Sequence, residues 1–180
     1  VNSCKKSIER VSEILQINMS AQNVNIQIVD ADIRNEQIVD KLFYESHRLG
    51  KPIQAVIHFS GLKAVKESVM NPLLYWDSNV NGAINLLTIM NRYDCKTIVF
   101  SSSATIYGLT NNEPLAEDTD INPINPYGRT KAVIEQILHD IFNSSPNEWK
   151  IANLRYFNPI GAHPSGMIGE YPKGIPNNIF

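Results

Sequence analysis

Segments predicted to be strands alternate with segments predicted to be helices along nearly the whole of this 180-residue chain. Strands are predicted at 24–29, 55–59, 97–100 and 150–156, and helices at 6–18, 35–49, 72–92 and 127–142. A predicted helix lies between each pair of successive strands, and this order predicts βαβ units, a parallel sheet and right-handed crossovers. The chain is therefore predicted to be an α/β protein built on a parallel sheet.

Two apolar patterns predict where the core lies. Residues 55–59 are apolar except for His58, as expected for a strand covered on both faces of a parallel sheet. His58 is accordingly interpreted as a core histidine with satisfied hydrogen bonds. On the helix at 72–92, the helical period predicts a buried stripe, which consists of Leu73, Leu74, Trp76, Val80, Ile84, Leu87 and Met90.

Charge and cysteine content exclude several classes of protein. The net charge of −2 gives no basic surface for nucleic acid or an anionic membrane. No apolar run approaches the ~20 residues that a membrane-spanning helix needs. The two cysteines, Cys4 and Cys95, form no disulfide framework, which favours a reducing, cytoplasmic setting. The histidines share no metal-ligand spacing, so no metal site is predicted.

Polar residues cluster where the predicted strands end. Ser101, Ser102 and Ser103 follow the apolar run at 98–100, and Tyr127 and Lys131 lie four residues apart at the start of a predicted helix. Side chains four apart share one helix face, and ligands of such sheets bind outside the carboxyl ends of the strands. The stretch from Ser101 to Lys131 is therefore predicted to form the functional site.

These residue types suit acid–base chemistry on a hydroxyl group. A free tyrosine has a pKa of about 10 and is a weak base at neutral pH. A lysine one helical turn away favours the tyrosinate, and a cationic nicotinamide would add to that effect. Ser103 can then position a substrate oxygen while Tyr127 exchanges its proton.

Seven segments carry a family resemblance: 61–69, 79–82, 101–108, 126–131, 154–159, 161–166 and 174–178. With them the chain resembles the extended short-chain dehydrogenase/reductases and, more narrowly, the UDP-glucose 4-epimerase family. The resemblance implies an incomplete Rossmann-type doubly wound parallel sheet. Related nucleotide-sugar dehydratases have acidic catalytic residues where this chain has Ala104 and Thr105, which argues against dehydration.

The resemblance implies a mechanism with bound NAD. Tyr127, as tyrosinate, takes the proton from the 4-hydroxyl of a UDP-hexose, hydride passes from C4 to NAD, and its return to the other face of the 4-keto sugar inverts C4. Lys131 lowers the pKa of Tyr127 and binds the nicotinamide ribose, while Ser103 bonds to the reacting oxygen. Galactose metabolism is the implied setting.

The resemblance also implies two sets of binding residues. Those for NAD are Asn2, Ser3, Asp32, Ile33, Phe59, Ser60, Gly61, Leu62, Lys63, Asn79 (with Ser78 as the alternative), Tyr127, Lys131 and Tyr156. Those for the UDP-sugar are Ser103, Ala104, Thr105, Tyr127, Phe157, Asn158, Asn177 and Asn178. Residues 1–157 are predicted to be part of an NAD-binding domain and 158–180 the start of the substrate-binding region. The helices at 72–92 and 127–142 form the implied homodimer interface.

One departure from the family pattern is large. The family begins with a strand and a Gly-rich turn that binds the pyrophosphate at a helix N-terminus, and no such turn occurs in this chain, which begins at Val1. We therefore expect an internal piece of a longer protein. The isolated chain is predicted to bind NAD poorly and to be inactive, and the full-length protein to be an epimerase.

Two alternatives remain open at this point. One is a related NAD-dependent epimerase for a UDP-N-acetylhexosamine or a UDP-pentose. The other is a non-catalytic dinucleotide-binding module, which the combination of Tyr127, Lys131 and Ser103 disfavours because binding alone needs no activated phenol.

Overall fold

The structure, a computed structural model, describes residues 5–19, 26–110 and 114–169. The chain divides into two units, one of residues 1–30 with 158–180 and the other of residues 31–157. The first unit contains helix α1 (Lys5–Met19), in agreement with the helix predicted at 6–18. The predicted domain boundary at residue 157 stays a prediction.

Within residues 31–157, helices and strands alternate as predicted. Asn35 begins helix α2 (Glu36–Arg48), because its side chain accepts a hydrogen bond from the Ile38 amide. Next come strand β1 (Val56–His58), helices α3 (Val65–Met70) and α4 (Pro72–Tyr75), a π-helical segment (Trp76–Asn81) and helix α5 (Gly82–Arg92). Strand β2 (Thr97–Ser103), a 3₁₀ turn (Ala104–Tyr107), helix α6 (Pro126–Ser144) and strand β3 (Lys150–Tyr156) complete this unit.

The three strands form one parallel sheet in the order β1-β2-β3. In the register, Ile57 lies opposite Val99, and Ser103 lies opposite Tyr156. The carboxyl ends of the strands therefore meet at one edge, which carries the residues predicted to form the site. This arrangement confirms the predicted α/β class and the parallel sheet.

Helices α2, α5 and α6 pack with one face of the sheet to form the core. Buried members of this core include Phe43, Met90, Ile98, Phe100 and Leu138. The other face is open in part, because Ile57 is 64% exposed and Leu154 is also exposed. The prediction that residues 55–59 form a strand covered on both faces is therefore wrong for this structure, and the strand itself is limited to Val56–His58.

The strand predicted at 24–29 is absent from its described part, since residues 26–30 have no regular structure. Ile28 and Val29 are 48% and 42% exposed. A strand forms only beside a hydrogen-bonding neighbour. In the described part of the chain, β1, β2 and β3 pair only with one another.

The helix predicted at 72–92 is interrupted by the π-helical segment at Trp76–Asn81. A π turn contains more residues than an α turn, so it changes which side chains face the core. Of the predicted stripe, Leu73, Leu74 and Ile84 are exposed, by 81%, 44% and 44%, and this part of the prediction is wrong. Tyr75, Ala83 and Ile89 are buried instead.

Candidate functional site

Three hydroxyl groups converge at the carboxyl end of β2. Ser103 begins the 3₁₀ turn, and its Oγ accepts hydrogen bonds from the Thr105 amide at 3.2 Å and from Thr105 Oγ1 at 2.9 Å. The Ser103 side chain lies close enough to the Tyr127 phenol to lower its pKa. The predicted catalytic serine and tyrosine are therefore neighbours at the edge of the sheet where ligands of such folds bind.

The start of α6 is held firmly against this edge. Asn125 caps the helix by accepting the Gly128 amide at 2.8 Å, and Pro126 occupies the first turn. The Ser68 hydroxyl accepts the Tyr127 amide at 3.2 Å. A Cβ atom at Gly128 would lie 2.8 Å from the Thr105 carbonyl oxygen, so only glycine permits this approach. That close packing places Tyr127 beside Ser103.

Lys131 is buried beneath the tyrosine. Its Nζ donates to the Ser101 carbonyl oxygen at 2.7 Å and lies 4.8 Å from the ring centroid of Phe100 and 5.9 Å from that of Tyr127. Burial lowers the pKa of Lys131 to about 8. At neutral pH the ammonium form still predominates, and this positive charge lies within reach of the phenol.

Burial is the largest influence on the pKa of Tyr127 in this structure. Burial raises it, and the nearby Ser103 hydroxyl opposes that rise only in part. This rise does not test the lowering effect predicted for the Lys131 ammonium, which stays a prediction. In the described structure the phenol retains its proton at neutral pH and serves as a hydrogen-bond donor or acid.

His58 lies on the same side of the sheet and is 3% exposed. Its ring centroid is 5.6 Å from that of Phe100, whose other contacts include Lys131. Burial, and secondarily the charge of Lys131, lower the pKa of His58 to about 4, so the imidazole is neutral at neutral pH. Its Nε2 has no hydrogen-bond partner in the part of the chain that the structure describes. The histidine is in the core as predicted, but it is not satisfied there.

Asn79 connects the turn after β1 with the start of α6. It is 2% exposed, and its Oδ1 accepts the Leu62 amide at 2.8 Å while its Nδ2 donates to the Leu62 carbonyl at 3.0 Å. Nδ2 also donates to Thr130 Oγ1 at 3.1 Å, and Thr130 in turn donates to the Tyr127 carbonyl at 2.7 Å. The glycine of this turn, Gly61, has φ +143° and lies against the Asn79 amide. Ser78, the alternative residue, is only half-buried.

The other predicted cofactor residues after β1 are open to solvent. Phe59 is 64% exposed, and its ring centroid lies 6.4 Å from that of Tyr156 at the end of β3. Ser60 and Lys63 are also exposed. The strand ends thus present two aromatic rings and a polar turn on a surface that can receive a planar ligand.

Asp32 and Ile33 lie where the chain enters α2. Arg34 donates to both Asp32 carboxylate oxygens and also pairs with Asp77 of the π-helical segment. Hydrogen bonding to Arg34 lowers the pKa of the exposed Asp32 to about 2. The Ile33 carbonyl accepts the side-chain amide of Asn85 on α5.

Predicted substrate residues are brought together only in part. Ala104 and Thr105 lie in the 3₁₀ turn beside Ser103, and Phe157 follows β3 with 63% of its side chain exposed. A cleft of about 480 Å³ lies between the loop at 115–117, Tyr107 and the end of β3. Asn158 belongs to the other unit and is exposed. Asn2, Ser3, Asn177 and Asn178 lie outside the described residues.

A buried charged network beside the site was not predicted. Glu135 accepts from the Ser102 hydroxyl and pairs with Arg155 at 2.8 Å. Arg155 also donates to the Tyr107 hydroxyl at 2.9 Å and to the Glu117 carbonyl at 2.7 Å. The sequence does carry a signal, since Glu135 lies one turn after Lys131 and therefore on the same face of α6.

The described ranges contain no candidate for a metal site or a membrane span. No group of three or more histidine, cysteine, aspartate or glutamate side chains there could hold a metal ion. No helix in the same ranges has both the length and the apolar character needed to cross a membrane.

Fold and site together define an α/β protein with a Ser–Tyr–Lys group at the carboxyl edge of a parallel sheet. A family model described as GDP-mannose 4,6 dehydratase matches residues 1–177, and the chain belongs to this family.

Individual relatives are more specific. Over 179 residues, which are 99% of this chain, it is 49% identical to the bifunctional UDP-glucose 4-epimerase and UDP-xylose 4-epimerase 1 of Pisum sativum and 47% identical to the UDP-glucose 4-epimerase of Bacillus subtilis. The crystal structure of the Bifidobacterium longum UDP-glucose 4-epimerase in complex with NAD⁺ and UDP matches 98% of this chain, with 43% identity and a TM-score of 0.86.

These relatives confirm the resemblance to the UDP-glucose 4-epimerases and the Rossmann-type fold class. The chain spans about half the length of the curated relatives it matches, namely 49% of each of the two named here. It likewise covers 49% of the Bifidobacterium chain.

Proposed function

We propose that a full-length protein containing this chain is an NAD-dependent UDP-glucose 4-epimerase that interconverts UDP-glucose and UDP-galactose. The observation that carries the proposal is the grouping of three side chains at the carboxyl end of β2: the Ser103 hydroxyl lies close enough to the Tyr127 phenol to lower its pKa, and Lys131 Nζ lies 5.9 Å from the centroid of the Tyr127 ring. The names of the matched relatives support the same activity.

The residues present fit NAD as the cofactor. Gly61 and Leu62 offer a fixed polar turn, and the rings of Phe59 and Tyr156 are exposed at the strand ends, where a nicotinamide would find an apolar surface. Asp32 and Ile33 would flank the adenine, and Lys63 would reach toward the cofactor. When bound, NAD supplies the acceptor that removes hydride from the sugar C4 and returns it.

The three central side chains would handle the proton and the sugar oxygen. Tyr127 takes the proton of the 4-hydroxyl as hydride leaves C4 and gives it back when C4 is reduced on the other face. Ser103, already fixed by Thr105, holds the reacting oxygen. Because burial raises the pKa of Tyr127, the phenol needs positive charge nearby to ionise, and the Lys131 ammonium and a cationic nicotinamide both act in that direction.

The remaining predicted contacts belong to this proposal. Ala104, Thr105 and Phe157 would line the sugar pocket, with Asn158, Asn177 and Asn178 contributing to the UDP-sugar site. We also propose a homodimer, a cytoplasmic location and a role in galactose metabolism. The exposed apolar side chains Leu73 and Leu74 on α4 and Ile84 on α5 support the dimer.

Replacement of Tyr127 by phenylalanine in the full-length protein tests the proposal. It removes one hydroxyl and keeps the ring, so we expect turnover of UDP-galactose to fall by about 10²-fold or more while NAD still binds. Sugar interconversion is followed by chromatography of the nucleotide sugars, and NAD binding by calorimetry. Unchanged interconversion would show that Tyr127 is not the acid–base group.

A UDP-pentose epimerase is the second candidate, because the Pisum sativum relative is named for both UDP-glucose and UDP-xylose. Turnover of UDP-xylose and UDP-galactose by the same preparation decides between them. NAD binding without turnover of either sugar would favour a non-catalytic dinucleotide-binding protein.

A further inference from the structure

We propose that the buried ion pair between Glu135 and Arg155 is a positioning device, which holds the ends of β2 and β3 and helix α6 in the arrangement that the site requires. The inference rests on the proposed function, since it assigns these two residues a part in the same reaction. Neither side chain reaches the predicted reacting atoms, so both are positioning residues rather than catalytic ones.

Several hydrogen bonds fix the Glu135 and Arg155 side chains relative to each other. The two side chains are 7% and 18% exposed, and the Arg155 Nη2 and Glu135 Oε2 atoms are 2.8 Å apart. Arg155 Nε lies 3.1 Å and 3.2 Å from the two carboxylate oxygens of Glu135, and the Ser102 hydroxyl completes the coordination of Oε1. Pairing with Glu135 raises the pKa of Arg155, so its guanidinium keeps its charge.

The pair joins the segments that carry the predicted site residues. Strand β2 supplies Ser102, helix α6 supplies Glu135, and strand β3 supplies Arg155. A rotation or slip of any one segment would break hydrogen bonds at a buried charge, which is costly. The three residues adjoin the site in the chain as follows: Ser102 precedes Ser103, Glu135 follows Lys131 by one helical turn, and Arg155 precedes Tyr156.

Arg155 also lines the cleft of about 480 Å³ beside the end of β3. Its guanidinium lies 5.2 Å from the ring centroid of Tyr107, which belongs to the same 3₁₀ turn as Thr105. It also donates to the Glu117 carbonyl at 2.7 Å and so anchors the loop that faces Phe157. Loss of the pair is therefore expected to disturb both the acid–base hydroxyls and the sugar pocket.

A role in stability alone would not require a charged pair. Well-packed uncharged side chains often replace a buried ion pair without loss of stability. They lack the planar, two-point geometry of a guanidinium on a carboxylate, which fixes direction as well as distance. This difference makes it possible to separate positioning from folding by experiment.

The experiment replaces both partners in the full-length protein, as Glu135→Gln with Arg155→Met. This leaves no unpaired charge and keeps an acceptor for Ser102. We expect cooperative thermal unfolding close to that of the unaltered protein, at least a tenfold fall in kcat for UDP-galactose, and a rise in KM. The matched control removes the exposed pair of α2 in the same way, as Glu45→Gln with Arg48→Met, and should keep full activity.

A folded double variant whose kcat and KM are within twofold of the unaltered protein would overturn the inference. If the double variant does not fold, Arg155→Lys serves instead, because it retains the positive charge without the two-point geometry of the guanidinium. Loss of turnover at unchanged thermal stability would support the proposal, and full turnover would contradict it. A parent protein with no epimerase turnover would refute the proposed function instead. A crystal structure of the variant then decides the inference, which predicts that the Ser103 and Tyr127 side chains move apart.

Discussion

Replacement of Gly128 by alanine tests whether the close approach of α6 to the 3₁₀ turn sets the geometry of the site. The added Cβ would lie 2.8 Å from the Thr105 carbonyl oxygen and 3.1 Å from Pro123 Cβ, whereas ordinary contacts begin at 3.4 Å. The oxygen belongs to the backbone and cannot rotate away. The helix start must therefore move by about 0.6 Å to restore a normal contact.

The size of the effect follows from that movement. Overpacking at such a contact costs about 1–3 kcal/mol, and the better helix propensity of alanine offsets at most about 1 kcal/mol of it. Because a misplacement of about 1 Å can reduce turnover by 10²-fold, a shift of roughly half that size predicts a fall in kcat of about tenfold. The Tyr127 hydroxyl is the group expected to move.

The assay combines steady-state turnover of UDP-galactose with thermal unfolding of the full-length protein. Arg129→Ala is the matched control, because Arg129 is the next residue of the same helix turn and its side chain is exposed. We expect the control to retain both turnover and melting temperature. A Gly128→Ala protein with the turnover and stability of the unaltered protein would show that the contact does not constrain the helix.

Two further predictions concern buried polar side chains. The pKa of His58 is about 4 in the folded protein and 6.5 ordinarily, so the unfolded chain binds the proton first as the pH falls. The free energy of unfolding should therefore decline by up to about 3 kcal/mol between pH 6.5 and 4. Urea unfolding at pH 7 and pH 4.5 should show that His58→Leu removes much of this decline, whereas replacement of the exposed His139 does not. Asn79→Ala should weaken NAD binding measured by calorimetry and lower the free energy of unfolding by about 1–3 kcal/mol. The reason is that the Leu62 backbone, in the turn after β1, loses both of its hydrogen bonds to the Asn79 side chain. Unchanged affinity for NAD would contradict the link between this turn and the cofactor.

Local patterns were enough to predict most of the elements that position the site. The bounds of β3 match the prediction at 150–156, and α6 begins at Pro126, where Asn125 caps the helix. These elements are encoded by apolar periodicity and by capping residues within a few positions of each other. The proximity of Ser103, Tyr127 and Lys131 follows from the parallel order of the strands.

The features that the sequence did not predict depend on contacts between distant segments. The π-helical segment changes which residues of 72–92 are buried, and nothing in the local period indicates it. The exposure of Ile57 depends on what covers the sheet, and the raised pKa of Tyr127 depends on its burial. The Glu135–Arg155 pair joins residues 20 positions apart in sequence and needs the fold to be seen.

The proposed hydride removal and return at C4 is tested most directly by the fate of a deuterium label at that carbon. Full-length protein containing this chain is incubated in ordinary water with UDP-galactose carrying deuterium at C4, and the UDP-glucose formed is examined by nuclear magnetic resonance. We predict that the label stays on C4 of the product, because the same hydride is taken and given back within the site. Product with hydrogen from water at C4, or no UDP-glucose at all, would contradict the account.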